Sequence, residues 1–302
     1  MTRDVLAAVD GSPQSLAAAR WAADEAVRRG LRLRLVHART WQDDLDADPG
    51  QPADVRALTD RMLADARREL GRSAPGLDIR AELVGGGEPA HVLAETAATA
   101  ELLVLGSRGL NGFDRLLLGS VGRDVAARCD VPVVLVRPAD GGSSGGPAAS
   151  TAATAAEASG GTEVVVGIDT RAPSAAVLDF AFRQAEARGA VLCAVHGWEP
   201  PPVWGYAGWV TPQIETDQFR AIEAELLAEA LTGWREKYPE VVVVEDSRIG
   251  SGAGAVVDPA TGAALVVIGR RRRAHHVGLR LGPVAHAVIH HAQAPVAVVP
   301  HD

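Results

Sequence analysis

The sequence is poor in cysteine and aromatic residues and has no long apolar run. Cys129 and Cys193 are the only cysteines among 302 residues, and aromatics make up 4%. A disulfide framework or a cysteine-based metal site is therefore disfavoured. No apolar stretch reaches the eighteen residues that a membrane span needs, and the N-terminal MTRDVLAAVD lacks the apolar core of a signal peptide. We expect a cytoplasmic protein with no membrane contact.

Excess positive charge is also absent. The formal net charge is −8 at pH 7, which disfavours general binding of nucleic acid or of an anionic membrane but leaves room for a local basic pocket. The chain does have 47% hydrophobic residues, which is enough for real cores, and its length suits two ordinary domains.

Patterns that would demand catalysis or a metal are missing as well. No Ser-His-Asp or Cys-His arrangement gives a nucleophile its context, and no paired carboxylates stand out. His275-His276 and His290-His291 are adjacent pairs, whose side chains do not point at one metal from a helix or strand. His91 and Glu95, one turn apart, are typical of a solvated helix face. We expect no enzyme activity beyond a weak ATPase, and no metal held by the protein alone.

Short apolar runs alternate with helix-like segments in the first half of the chain. Strands are predicted at 5–9, 31–37, 77–84, 102–105 and 131–136, and helices at 15–30, 55–70, 89–98 and 121–128, the first capped by Ser15. This rhythm is typical of βαβ units, hence of a parallel sheet with helices on both faces. Ligands of such sheets bind where the strand order reverses. Asp10 and Gly106, at the ends of strands one and four, face one crevice if those strands are neighbours.

A segment rich in Gly, Ala, Ser and Thr divides the chain. Residues 139–162 contain no large apolar side chain and are expected to form a flexible linker. The pattern then repeats, since VVVGID echoes VLAAVD, LVVIG echoes LLVLG, and His196 matches His37. We therefore expect a first domain at 1–138 and a second copy of it at 163–302.

The glycine-rich stretch at 106–121 is the most informative in the chain. Gly106 ends an apolar run and is followed, after two residues, by Gly109 and, after nine more, by Gly119-Ser120 at the start of a helix-like segment. Backbone N–H groups of such a loop and the positive end of a helix dipole favour a bound phosphate. A turn that needs positive φ would explain any one of these glycines alone. The spacing matches neither the P-loop nor the dinucleotide fingerprint.

The spacing Gly-x2-Gly-x9-Gly-Ser resembles the nucleotide-binding motif of the universal stress protein family, and the two copies resemble a tandem member of it. The resemblance implies an α/β fold of two Rossmann-like domains, of the adenine nucleotide alpha hydrolase-like type, each with a five-stranded parallel sheet. It also implies a stress-response regulatory protein that binds ATP, or another adenine nucleotide, through the glycine loop of the first domain.

The predicted nucleotide site combines ten residues of the first copy. Gly106 and Gly109 let the loop approach the phosphates, while the helix start presents amides and the hydroxyl of Ser120, which can also cap the helix. Asp10 contacts the ribose or a phosphate-bound Mg²⁺, and the backbone of Ala38 meets the adenine, a role that the family resemblance alone supplies. The full set is Asp10, Gly11, Ser12, Ala38, Gly106, Arg108, Gly109, Gly119, Ser120 and Val121.

The second copy keeps the frame but changes the loop. Arg272 replaces Gly109, Pro283 replaces Ser120, and Thr170-Arg171 replace Gly11-Ser12. These changes remove a point of close approach, a hydroxyl and a backbone N–H. We expect nucleotide binding that is weak or absent there, at Asp169, Gly269, Arg272 and Gly282. The run Arg270–Arg273 fits a solvated basic loop, a phosphate grip, or a contact to nucleic acid or an acidic partner.

Partner interpretations stay open. The family resemblance implies that the copies pair through Val131–Val136 and Val296–Val299, within one chain or, by exchange, in a homodimer. The aromatic, proline-rich stretch Trp198–Pro212 is typical of an interaction surface or a lid, or of side chains folded back on the adjacent helix. A regulatory protein partner is expected but not identified. The alternatives are an interaction module that binds no nucleotide, and a slow ATPase, disfavoured because no general base lies beside the predicted phosphates.

Overall fold

The computed structural model describes residues 4–38, 52–107, 119–137, 163–200, 212–272 and 281–302; for 52–55 and 212–216 it describes the backbone alone. These residues form two compact units. Unit 1 contains the described residues up to 137 together with Leu281 and Pro295–Pro300. Unit 2 contains 163–272, Gly282–Ala294 and His301–Asp302. The predicted linker at 139–162 lies outside the described residues.

The sheet of unit 1 contains the five strands that the sequence predicts. They are β1 (Val5–Ala8), β2 (Leu33–Ala38), β3 (Ile79–Val84), β4 (Leu102–Gly106) and β5 (Val133–Val136). All five are parallel, in the order β3-β2-β1-β4-β5. Val5 of β1 lies in register with Leu33 on one side and Leu102 on the other. The expected adjacency of strands one and four is therefore confirmed, although β2, β3 and β5 each begin two residues later than predicted.

Four helices of unit 1 connect these strands: α1 (Pro13–Arg29), α2 (Pro52–Ser73), α3 (Pro89–Ala97) and α4 (Ser120–Arg128). Helix α1 packs against α2, and α3 packs against α4. Since parallel crossovers are right-handed and the strand order reverses after β3, these two helix pairs cover opposite faces of the sheet. Fully buried alanines of α1, among them Ala18, Ala22 and Ala26, let the helix lie close to β1 and β4. The core is thus formed by small helix residues on aliphatic strands, which agrees with the scarcity of aromatics.

The first helix begins two residues earlier than predicted, and the predicted cap is wrong. Ser12 is the N-cap, and its Oγ accepts a hydrogen bond from the backbone N–H of Ser15 at 3.1 Å. Pro13 occupies the first helical position, where a fixed φ and a missing N–H cost nothing. Ser15 lies inside the first turn. The helix ends at Gly30, which adopts the left-handed conformation with φ 61°.

Unit 2 repeats the parallel arrangement. Its strands are β6 (Glu163–Gly167), β7 (Val191–Trp198), β8 (Val243–Ile249) and β9 (Leu265–Arg271), in the order β9-β6-β7-β8. Its helices are α5 (Ala175–Arg188), α6 (Pro212–Lys237), α7 (Gly252–Val257) and α8 (Pro283–His291). The α/β, Rossmann-like fold class predicted from the sequence is confirmed. None of the helices among the described residues is long and apolar enough to span a membrane.

The last strand of the chain, β10 (Val296–His301), pairs antiparallel with β5. Val296 lies opposite Leu135, and Val298 lies opposite Val133. Residues up to Pro300 belong to unit 1, so unit 1 has a sixth strand that comes from the C-terminal end of the sequence. The two segments that were expected to pair, Val131–Val136 and Val296–Val299, are hydrogen-bonded neighbours.

A polar and aromatic cluster fixes α5 to α6 in unit 2. The ring of Phe182 stacks on those of Trp234 and Tyr238, with centroid distances of 5.9 and 5.4 Å. Asp179 Oδ1 accepts hydrogen bonds from Lys237 Nζ at 2.6 Å and from the Tyr238 hydroxyl at 3.0 Å. Although burial raises the pKa of Asp179, these bonds and the nearby positive charges outweigh it, so that the pKa lies below its ordinary value.

We predict that Asp179→Ala lowers the free energy of unfolding by about 1–2 kcal/mol at pH 7, because Lys237, Tyr238 and Arg183, whose Nε lies 2.9 Å from Asp179 Oδ2, lose their acceptor. Because the pKa of Asp179 is lower in the folded than in the unfolded state, its ionised carboxylate stabilises the folded state at pH values above the unfolded-state pKa, about 4. This stabilisation is lost as the pH falls through the folded-state pKa. Urea unfolding at several pH values should therefore show the gap between wild type and variant closing below about pH 4. Asp217→Ala, which removes an exposed carboxylate paired with Arg220, is the control and should change stability little. A gap that persists unchanged at pH 2 would contradict the assignment.

Candidate functional site

The candidate site lies at the carboxyl ends of β1 and β4, where the strand order of unit 1 reverses. From β1 the chain proceeds to β2 on one side, whereas β4 and β5 lie on the other. The turn after β1 carries Asp10, and the residue after β4 is Ser107, whose carbonyl accepts a hydrogen bond from the N–H of Gly119 at 3.0 Å. The structure thus places the turn after β1, the end of β4 and the start of α4 at one end of the sheet, as the sequence predicts for adjacent strands.

Hydrogen bonds within the turn after β1 hold Asp10 in place. Asp10 Oδ1 accepts from the N–H of Ser12 at 2.9 Å, and the N–H of Asp10 donates to Ser15 Oγ at 3.2 Å. The Ser15 hydroxyl in turn donates to the Ser12 carbonyl at 2.9 Å. Gly11 has a φ of 82°, which disfavours any residue with a side chain. Gly11 and Ser12, predicted as ligand residues, therefore also have structural roles in this turn.

Gly106 is required by the packing of helix α1. A Cβ at this position would lie 2.9 Å from the carbonyl carbon and oxygen of Gln14 and 3.0 Å from the backbone nitrogen of Ser15. These are backbone atoms of the first turn of α1, which cannot move aside as a flexible side chain can. The sequence analysis explained Gly106 by close approach to a phosphate; the structure supplies a second reason, since β4 ends directly against a helix backbone.

Ser107 is a candidate ligand residue that the sequence analysis missed. It is 5% exposed, and its backbone N–H donates to the Val136 carbonyl at 2.8 Å. Its Oγ has no hydrogen-bond partner among the described residues. A buried hydroxyl without a partner costs about 1–3 kcal/mol, so this oxygen marks a place where a polar ligand would be stabilised. The available signal was a hydroxyl residue directly after the first glycine of the motif.

The start of α4 has no side-chain cap among the described residues. Gly119 is the N-cap, with φ −59° and ψ 148°. The prediction that Ser120 caps the helix is wrong, because Ser120 is the first helical residue and is exposed. The first N–H groups of α4, including those of Ser120 and Val121, therefore receive no side-chain cap and carry the positive end of the helix dipole.

One further predicted residue of the first copy can be placed, and two cannot. Ala38 is the last residue of β2 and is half-buried, next to His37, whose Nδ1 donates to the Val9 carbonyl at 2.7 Å. Arg108 and Gly109 lie outside the described residues. The site thus has described groups on β1, β2, β4 and α4, whereas the middle of the motif stays a prediction.

In unit 2 the corresponding position holds a polar cluster, which we call the His196 cluster. It consists of the buried residues Thr170, His196 and Glu223 and the exposed Arg171. His196 Nδ1 donates to the Ile168 carbonyl at 3.0 Å, while its Nε2 lies 3.2 Å from Glu223 Oε2 and 3.3 Å from Thr170 Oγ1. The guanidinium of Arg171 donates to the other carboxylate oxygen of Glu223 at 2.7 Å. Thr170 and Arg171, which replace Gly11 and Ser12, thus form hydrogen bonds within the protein.

Residues of the predicted weak second site also contact other residues of unit 2. Asp169 Oδ1 accepts from the N–H of Arg171 at 3.2 Å, and its carboxylate lies 3.8 Å from Arg271 Nη2. A Cβ on Gly269 would lie 2.8 Å from Nε2 of His301. Arg272 donates its N–H to the His301 carbonyl and pairs with Asp302 at 3.6 Å.

The start of α8 differs from the start of α4, and the arginine run and the aromatic stretch of the second copy are only partly described. Gly282 caps α8, whose first residue, Pro283, has no N–H to offer. The interpretation of Arg270–Arg273 as a solvated loop is wrong for Arg270, which lies in β9 and is 8% exposed. Arg273 lies outside the described residues. Trp198 ends β7 and is buried, and residues 201–211 of the aromatic stretch are not among those described.

The family model described as the universal stress protein family matches residues 1–137 and 161–300, once for each copy. The chain belongs to the universal stress protein family. Among curated relatives, universal stress protein Rv2005c of Mycobacterium tuberculosis is 31% identical over 312 residues, covering 97% of this chain and 96% of the relative. Universal stress protein Rv2623 of the same organism is 30% identical over 303 residues, covering 97% and 95%.

A solved structure supports the fold. The universal stress protein from Archaeoglobus fulgidus aligns with a TM-score of 0.65 at 16% identity, covering 100% of this chain and 97% of that one. At this identity the likeness concerns the fold alone. The two-copy organisation and the α/β class of this universal stress protein thus agree with the family match and the fold comparison.

We predict that Gly106→Ala lowers the free energy of unfolding of the nucleotide-free protein by about 1–3 kcal/mol, because the added methyl group meets helix backbone. Gly269→Ala is the matched control, since there the nearest atoms belong to the imidazole of His301, which can rotate. Chemical unfolding of the two variants should rank Gly106→Ala as the less stable. Equal free energies of unfolding of the two variants would mean that α1 can shift to accommodate the methyl group, and would contradict the prediction.

We predict that Glu223→Ala destabilises unit 2 by about 3 kcal/mol, because the imidazole of His196 and the guanidinium of Arg171 then lose the buried carboxylate that they contact. Arg171→Ala should cost less, about 1 kcal/mol or below, since the Arg171 side chain is 71% exposed. Urea unfolding of both variants measures the difference. The role given to the His196 cluster is refuted if both changes have the same small effect.

Proposed function

We propose that this universal stress protein binds an adenine nucleotide, with ATP as the first candidate, at the switch point of unit 1, and that it acts as a stress-response regulator. One nucleotide binds per chain, through the first copy. The observation that carries the proposal is the buried Ser107 hydroxyl, which has no hydrogen-bond partner among the described residues. The carbonyl of Ser107 accepts a hydrogen bond from the N–H of Gly119, the N-cap of α4, and both residues lie within the Gly-x2-Gly-x9-Gly-Ser spacing.

The described residues fit a phosphate chain. The N-terminal N–H groups of α4 point out of a helix whose dipole favours negative charge. The exposed Ser120 hydroxyl and the Ser107 hydroxyl add two donors on either side of Gly119, to which Ser107 is joined by a backbone hydrogen bond. The nucleotide would supply the anionic oxygens that satisfy these donors, and Gly109 with Arg108 would complete the loop.

The same end of the sheet offers groups for the rest of a nucleotide. Asp10 uses one carboxylate oxygen in the turn after β1, so that the other can accept from a ribose hydroxyl or bind a phosphate-bound Mg²⁺. Ala38 ends β2, the next strand along, where its backbone would contact the adenine. His37 is held by the Val9 carbonyl and fixes the start of that segment.

The second copy supports a stoichiometry of one. Asp169 is paired with arginine, Gly269 faces His301, and Pro283 replaces the first donor of the helix. Polar groups that are already bonded within the protein gain little from a ligand that must displace those bonds. In this proposal the regulatory effect arises in unit 1, where a partner protein distinguishes the nucleotide-bound form from the free form.

We predict that calorimetric titration of nucleotide-free protein with Mg-ATP gives one site per chain. Gly109→Glu should abolish binding, because a carboxylate then occupies the phosphate loop. Ser107→Ala should weaken binding about three- to tenfold, through the loss of one hydrogen bond, while leaving the free protein as stable as before or more stable. The stability of the free protein should be unchanged or higher because the alanine variant no longer buries a hydroxyl that lacks a hydrogen-bond partner among the described residues.

Ser247→Ala is the matched control for Ser107→Ala. Its hydroxyl is likewise buried without a hydrogen-bond partner among the described residues, but it lies in unit 2. The control should change stability in the same direction and leave Mg-ATP binding unchanged. Two sites per chain would overturn the interpretation of the second copy, and no binding of ATP, ADP or cyclic AMP would overturn the proposed function itself.

A further inference from the structure

Strand β3 forms one edge of the sheet of unit 1. It pairs with β2 on one side, and none of the described strands pairs with its other side. The N–H of Leu33 in β2 donates to the carbonyl of Asp78 at 3.0 Å, and Leu33 lies in register with Ile79. In a parallel ladder with this register, the backbone N–H and C=O groups of Ile79, Ala81 and Leu83 point away from β2. A further strand can therefore pair with these three residues.

Charges of opposite sign lie on either side of Ala81. Arg80 and Glu82 are exposed and, being two residues apart, project from the same face of the sheet. Glu82 Oε1 accepts a hydrogen bond from Arg34 Nε at 3.0 Å. Arg80 lies in register with Arg34, a like charge, and its Nε is 3.9 Å from Oδ2 of Asp78, a pair in which both side chains are more than half exposed. The guanidinium of Arg80 would therefore gain from a second carboxylate on the open side of the strand.

We propose that β3 pairs antiparallel with β3 of a second copy of this chain, about a two-fold axis at Ala81. Because open backbone groups must meet open backbone groups, a central axis can pass through Arg80, Ala81 or Glu82. An axis at Arg80 sets two arginines directly opposite each other, and an axis at Glu82 sets two glutamates opposite each other, which is destabilising. The axis at Ala81 sets Arg80 of each copy opposite Glu82 of the other. The resulting interface is self-complementary, as a closed two-fold dimer requires.

The charges on β3 select one partner and one register. Charged side chains on an edge strand usually prevent pairing with other strands. Here the axis that joins Ile79, Ala81 and Leu83 in hydrogen-bonded pairs is also the axis that brings opposite charges together. Neighbouring registers are disfavoured by like charges, so the edge is protected from general aggregation and remains open to the same strand of a second copy.

A groove beside β3 has the same symmetry. It lies between α2 and β3, has a volume of about 530 Å³, and its lining includes Ala81 of the strand and Asp60, Ala64 and Arg68 of the helix. These three helix residues are four positions apart and lie along one side of α2. An axis that passes Ala81 and Ala64 places Asp60 of one copy beside Arg68 of the other. The helix thus repeats the charge pattern of the strand about the same axis.

The groove also accommodates the apolar side chains of the second strand. Ile79, Ala81 and Leu83 alternate with Arg80 and Glu82 and therefore project to the α2 side of the sheet, where Ala81 and Leu83 line the groove. In the paired arrangement Ile79 of one copy lies opposite Leu83 of the other, and the small side chain of Ala81 lies at the axis. This interface includes neither the turn after β1 nor the start of α4, so it does not depend on the proposed nucleotide site.

The test is sedimentation velocity of the full, nucleotide-free chain over a wide range of concentrations. The wild type should show a reversible equilibrium between monomer and dimer. Arg80→Glu and Glu82→Arg each create two like-charged pairs across the axis and should weaken dimerisation about tenfold or more. Arg220→Glu is the matched control, because it makes the same change of charge at an exposed position on α6 of unit 2. It should leave dimerisation unchanged.

Mixing the two edge variants separates a charge effect from a folding defect. The strand of Arg80→Glu is acidic at both positions, and the strand of Glu82→Arg is basic at both. A mixed dimer then has only opposite charges across the axis, so an equimolar mixture should dimerise about as tightly as the wild type, although neither variant does so alone. A wild type that stays monomeric, edge variants that dimerise as tightly as the wild type, or a mixture that does not associate would each overturn the proposal.

Discussion

The contact between the end of β4 and the first turn of α1 is the constraint on which the candidate site depends. At Gly106 two backbones approach so closely that a single methyl group would be 2.9 Å from a carbonyl group. This approach fixes where β4 ends relative to the turn that holds Asp10, and the next residue, Ser107, is then joined to Gly119 at the start of α4. The three segments of the site are therefore positioned by hydrogen bonds and packing within the protein, before any ligand arrives.

The two copies show how one frame can keep its fold while its site changes. Both have a serine N-cap after the first strand and a glycine in the fourth, Gly106 at the end of β4 and Gly269 inside β9. In unit 1 the glycine meets helix backbone, and the buried Ser107 hydroxyl beside it has no hydrogen-bond partner among the described residues. In unit 2 the glycine meets His301, and Thr170, Arg171, His196 and Glu223 bond to each other. The replacement of Gly11 and Ser12 by Thr170 and Arg171 is thus accompanied by new internal polar bonds, as expected where buried polar groups must find partners.

The five strands of unit 1 and the adjacency of strands one and four could be predicted from the sequence, because short apolar runs, glycine positions and an internal repeat are local signals. Caps were less predictable: Ser12 and Ser15 are both serines near the helix start, and Pro13 decides between them. The hydroxyl of Ser107 could not be recognised, since a missing partner is a property of packing.

The antiparallel pairing of β10 with β5 has a consequence for synthesis of the chain. Strand β5 ends near residue 136, whereas the strand that covers its outer edge begins at Val296. During translation the edge of β5, with its unpaired N–H and C=O groups and its apolar side chains, stays open until the chain has been extended past Val296. A chain that lacks β10 keeps that edge open, and such an edge is a template for pairing with another molecule. Strand β10 therefore protects the sheet of unit 1 from aggregation.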